Sequence, residues 1–157
     1  MDHRFRTLFN QRYTDAFYQG FLRDLEGRVG CPIPYRVAET PFFVPSELRD
    51  RLAVHAREIL ALVTEKQALE RMAAAIPAAW DVPRMDAQPH CVQIDFAIVK
   101  NADGSLDGRV VELQAFPSLY GLMVLKLEAA RTALAAMSPE LERDWSIFYG
   151  KLTRETF

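Results

Sequence analysis

Thiols are scarce in this sequence. Cys31 and Cys91 are its 2 cysteines, and neither has a CxxC neighbour. Two thiols do not build a disulfide framework, so both read as packing residues and a reducing, cytoplasmic setting is expected. Histidine is nearly as sparse. Its 3 copies form no HExxH motif and no close pair, which argues against a zinc enzyme. No apolar run is long enough to cross a bilayer. The opening stretch MDHRFRTLFNQRY is polar and lacks a secretory apolar region. An excess of positive charge is also missing: 19 Lys and Arg stand against 21 Asp and Glu, for a formal charge of −2. Neither a nucleic-acid partner nor a polybasic membrane patch is expected on that balance. Three motifs are absent: the phosphate-binding GxxxxGK[ST], the dinucleotide GxGxxG and the hydrolase G-x-S-x-G.

What is present suits a globule. The chain has 157 residues, half of them apolar and a quarter charged, so residues 1–157 are expected to form one domain. Phe5, Phe9, Tyr13, Phe17, Phe21 and Leu25 recur every four residues and predict a helix over 4–28, ended by Gly30, Pro32 and Pro34. Residues 31–45 carry four prolines and predict an extended connector, with a short edge strand at 35–37 or 42–44. Its apolar side chains imply that it packs on the domain. Ser46 is the expected cap of a helix reaching about Ala75, and His55 falls near its apolar stripe as a packed, hydrogen-bonded residue. Trp80, in the loop after Pro77, is expected to anchor in the core, and Asp81, Asp86 and His90 are polar candidates only because they precede the next element. Ser118 is the expected cap of a helix over 119–137 that is apolar on most sides, fit either for burial on both flanks or for a homodimer interface. Ser138-Pro139-Glu140 then starts a last helix, with Leu141, Trp145, Phe148 and Leu152 as its buried stripe.

The most informative stretch is Cys91 to Tyr120. Val92, Ile94, Phe96 and Ile98 alternate with Gln93, Asp95, Ala97 and Val99, the period of a strand. Val110 to Phe116 is a second β-rich run, bounded by Gly108 and Pro117. The turn formers between them predict an antiparallel hairpin, 91–99 paired with 109–116. With Asp103-Gly104 as a two-residue turn, residues whose numbers sum to 207 face each other, so Asp95 opposes Glu112 and Gln93 opposes Gln114. Glu112 and Gln114 share a strand face. An odd sum brings Asp95 onto that face, and an even sum sends it to the other. Two bare carboxylates directly opposite each other repel. A hard divalent cation between them relieves that repulsion, and two carboxylates with an amide oxygen suit Mg²⁺ or Ca²⁺. The alternative reading is a solvent-facing polar stripe on a half-buried hairpin.

The pattern Gln-Ile-Asp-Phe, a Gly-containing turn, then Val-Val-Glu-Leu-Gln-Ala-Phe-Pro-Ser resembles the synthetase part of glutathionylspermidine-synthase-like, circularly permuted ATP-grasp proteins, over about 30 residues. That family reads roughly Arg-Phe-Asp, turn, Glu-Tyr-Asn-Ala-Asp-Thr-Pro. The resemblance implies that Asp95, Glu112 and Gln114 are metal ligands holding Mg²⁺ against ATP phosphates. It puts Gln93 where the family has an arginine, so a phosphate-neutralising charge is missing there. Phe116 stands in place of an aspartate. Gln93 and Ser118 are the candidate cofactor contacts, Ser118 because a helix N-terminus suits an anion.

The expected fold is therefore α/β, or α+β, with helices packed on a small sheet centred on the hairpin. The first functional expectation is part of an ATP-dependent carboxylate–amine ligase of the ATP-grasp type. Its ligands would be Mg²⁺, ATP and a small carboxylate and amine. Identifiable nucleotide-gripping lysines and a Gly-rich lid are lacking, and such enzymes need roughly twice this length in two lobes. The isolated chain is thus expected to be inactive, whether it is the N-terminal piece of a longer protein, a truncation product or a stand-alone descendant that cannot close over ATP. The second expectation is a non-catalytic interaction or dimerisation module.

Overall fold

The structure, a computed structural model, describes residues 2–84, 89–116 and 118–157. Among the described residues are five α-helices, α1 (His3–Arg12), α2 (Asp15–Val29), α3 (Ser46–Val63), α4 (Lys66–Ala74) and α5 (Tyr120–Met137), and two strands, β1 (Gln93–Lys100) and β2 (Leu106–Gln114). The expected α/β mixture of helices and one small antiparallel hairpin is present. No helix of the described residues is long and apolar enough to cross a membrane. The chain gathers into two compact units, one of residues 1–43 with 118–157, the other of residues 44–117.

The first unit is helical. The aromatic stripe expected on one long helix is divided between α1 and α2. The break is at Tyr13 and Thr14, both extended, and the Thr14 hydroxyl accepts from Phe17 N–H at 3.1 Å. A threonine that satisfies an orphan amide favours a helix start over continuation, so the stripe runs across two helices. Asp2 caps α1 by accepting from the Arg4 and Phe5 amides, and Gly30 ends α2 in the left-handed conformation with its N–H on Glu26 O at 2.8 Å. That Gly stop is the one the sequence predicts. Two apolar clusters result. Phe9, Phe43, Leu134 and Leu141 form one; Phe21, Leu25, Val37 and Ala129 form the other, where α2 meets α5. Arg28 on α2 also reaches Glu128 and Thr132 on α5.

Several expectations for this unit are corrected. The proline-rich connector forms no strand among its described residues, although Val37 and Phe43 are buried as foreseen and Tyr18 donates its hydroxyl to Val37 O. Cys31 is exposed and packs nothing in. The cap position of α5 belongs to Leu119 in a left-handed conformation, not to Ser118, and no side chain caps that end. Ser138 does cap as expected, accepting from Glu140 N–H at 3.3 Å, but only a single 3₁₀ turn, Pro139–Leu141, follows. Ser146 then draws the Phe148 amide into a local bond, competing with helix continuation. Leu141 is buried, Trp145 and Phe148 half-buried, and Leu152 exposed.

The second unit places α3 on β2. Ser46 is the first residue of α3 and not its cap; that position is Pro45. The expected single helix over 46–75 is interrupted at Thr64 and Glu65, where the Thr64 hydroxyl bonds back to Leu60 O at 2.7 Å. Leu48 is the one buried large hydrophobic side chain among the described residues of this unit. Trp80, expected in the core, is 77% exposed. Asp81 and His90 are exposed as well, and Asp86 lies outside the described residues.

Candidate site on the hairpin

Strand pairing fixes which side chains meet. Gln93 pairs with Gln114, Ile94 with Leu113 and Asp95 with Glu112, a sum of 207 as predicted. From Phe96 to Lys100 the sum falls to 206, with Phe96 opposite Val110 and Lys100 opposite Leu106. Two features account for the change. The connection is longer than the two-residue turn expected. Asn101 N–H reaches Ser105 O at 2.8 Å, Gly104 N–H reaches Asn101 O at 2.9 Å, and Gly104 has φ +85°. A type I turn followed by a left-handed Gly is the usual three-residue hairpin. Asp103 reinforces it by accepting from the Ser105 amide and hydroxyl. By itself this loop sets an even sum, the register that would carry Asp95 away from Glu112. A β-bulge then leaves Val111 unpaired between Val110 and Glu112 and restores the odd sum.

The register therefore lines one face of the hairpin with Gln93 and Gln114, Asp95 and Glu112, Ala97 and Arg109, then Val99 and Asp107. The opposite face carries Ile94, Phe96 and Ile98 with Gly108, and Gly108 is buried against Leu52 of α3. Gln93, Asp95 and Gln114 are half-buried and Glu112 is exposed. Gln93 donates its amide to Asp95 Oδ1 at 3.0 Å. This bond orients the carboxylate and leaves the Gln93 carbonyl oxygen outside it. Among the described residues, no group of three or more His, Cys, Asp or Glu side chains is placed to hold a metal ion. A cation here would rest on two carboxylates and on amide oxygens. Ser118, the remaining candidate, belongs to the first unit, at the entry to α5.

Sequence reasoning did not find the polar tie between α3 and β2. His55 Nε2 lies 3.1 Å from Asp107 Oδ1 and its Nδ1 lies 3.4 Å from Glu58 Oε2. Carboxylates only accept, so both contacts are satisfied together only by the imidazolium, which carries a donor on each nitrogen. The Asp107 hydrogen bond, then the Glu58 one, holds the His55 pKa above its ordinary value. Asp107 is shifted the other way, first by the Gly108 amide and then by His55. Arg109 stands 3.6 Å from Asp107, and Arg51 donates to Leu106 O at 2.8 Å. Both ring nitrogens of His55 are engaged, so the group reads as a clamp and not as a proton-transfer centre. Arg109 is the second residue the sequence alone did not mark. It sits one rung from Asp95 on the polar face, a relation visible only once the bulge is known. Comparison of the chain with protein-family models, curated proteins and solved structures finds no match.

Proposed function

We propose that this chain is part of an ATP-grasp-type carboxylate–amine ligase and that its hairpin carries the divalent-cation ligands. The single observation supporting the reading is the pairing of Asp95 with Glu112, flanked by Gln93 and Gln114 on the same face. A regular ladder with this loop would have separated the two acids, so the bulge matters to the proposal. Bulges recur beside active sites, where they re-aim side chains. The donor set fits Mg²⁺: two hard carboxylate groups, an amide oxygen from Gln114, and Gln93 orienting Asp95 from behind. Bound there, the cation would neutralise nucleotide phosphate charge. Arg109 on the same face offers the positive charge that Gln93 fails to supply at the family's arginine position.

A second reading, a non-catalytic interaction module, draws on the exposed apolar side chains Val110, Val111, Leu113 and Phe116 along β2 and just beyond it. Direct titration separates the two. Calorimetry of the 157-residue chain with Mg²⁺, with and without ATP, should give a saturable cation-dependent signal that Asp95→Asn and Glu112→Gln both remove. Equal heats from wild type and both variants would leave only the interaction module. ATP turnover by this chain alone would contradict its assignment as part of a larger enzyme.

A further inference from the structure

The first unit has its apolar core in two pieces, and a cavity of 340 Å³ lies on the seam between them. Phe17 and Leu134 line it from the side of one cluster, Phe21 and Ala130 from the side of the other. Small-molecule sites run from roughly 300 to 1,000 Å³ and combine apolar walls with a few polar groups, so this cavity suits a small, mainly apolar ligand. Its rim is unfinished: Phe42 and Met123 line it and remain 46% and 43% exposed.

The polar lining decides the ligand's head group. Glu39 and Lys126 are its two charged residues. Arg36 ion-pairs with Glu39 and holds that carboxyl below its ordinary pKa. Lys126 forms no ion pair among the described residues. A lysine ammonium is a compact point charge on a flexible stem, suited to one compact anion and not to a forked contact. We propose that this cavity binds a medium-chain monocarboxylate, its hydrocarbon body bridging the two apolar clusters and its carboxylate meeting Lys126. The inference is independent of the hairpin and of the ligase reading.

The test is an amide NMR titration of the full chain with decanoate, decanol and decyltrimethylammonium, each below its micelle concentration. Decanoate should shift residues of α2 and α5 around Phe21 and Ala130, and bind at least tenfold more tightly than decanol or the ammonium. Lys126→Glu should reverse the preference between acid and ammonium. Ala130→Phe should fill the cavity and remove decanoate binding. Should that variant lose its native spectrum, Met123→Glu at the exposed rim serves instead and should weaken decanoate tenfold or more. Equal affinity for the three amphiphiles, or decanoate shifts unchanged in both Lys126→Glu and the cavity or rim variant, would overturn the proposal.

Discussion

Gly108 of β2 lies against Leu52 of α3, and adding one methyl group there has a calculable consequence. A Cβ at this position would lie 2.3 Å from Leu52 Cδ2 and 2.9 Å from Phe96 Cδ1. Carbon atoms rest at about 3.5–4.0 Å, so the Leu52 methyl must retreat by more than roughly 1 Å. Overpacking of this kind costs about 1–3 kcal/mol. Gly108 has no positive φ, so alanine is compatible with the backbone there. The lost unfolded-chain entropy then returns about 0.4–1 kcal/mol. The clash wins, and Gly108→Ala should destabilise the unit by about 1–2 kcal/mol. Amide hydrogen exchange along β1 and β2 is the assay, because it reports this unit by itself. Leu52→Ala vacates the space the new methyl needs. The double variant should therefore be more stable than the two single losses predict, with a coupling of about 0.5–3 kcal/mol. Additive losses, or a neutral Gly108→Ala, would refute the claim that α3 packs this closely on β2.

Other outcomes follow from the same geometry. His55 has a raised pKa, so its contribution is complete below the ordinary value of 6.5 and is lost as pH rises through the higher folded-state value. Protection of the hairpin amides should fall across that window, and His55→Gln should flatten the slope; an unchanged slope would reject the clamp. Asp107, with its lowered pKa, contributes above its ordinary value of 3.8 and loses that contribution as pH falls through the folded one, so Asp107→Asn should blunt acid unfolding followed by circular dichroism. Without divalent ions, Asp95→Asn should stabilise the hairpin by about 0.2–1 kcal/mol by removing a cross-strand like-charge pair, and Mg²⁺ should reverse the ranking; a loss in metal-free exchange measurements would count against that repulsion. Trp80→Ala should change stability by no more than about 0.5 kcal/mol in urea titrations, since the ring is 77% exposed.

The hairpin shows how sequence reasoning reaches a right pairing by a wrong route. A two-residue turn with an unbroken ladder and a three-residue loop with one bulge place Asp95 opposite Glu112 alike. Gly104 was legible because a left-handed turn position favours glycine. Val111 was not, because a valine at a bulge looks like a valine in a ladder. The division of α1 from α2 was written in Thr14, a good capping residue, but an aromatic every fourth position masked it. The opposite failure occurs after Ser138. There the start signals are real, and local side-chain bonds stop the helix within a turn. Trp80 misled because size and apolarity speak for burial in general, while this unit buries few large side chains. His55 and Asp107 lie 52 residues apart, and no local pattern joins them.

The pairing of two acids across the bulge is best tested with Mn²⁺ as a paramagnetic stand-in for Mg²⁺ in amide NMR spectra of the whole chain. The proposed site predicts selective, saturable broadening at residues 93–95 and 112–114, lost together in Asp95→Asn and in Glu112→Gln. Broadening spread over exposed carboxylates elsewhere, or left unchanged by both substitutions, would contradict a cation site on this hairpin.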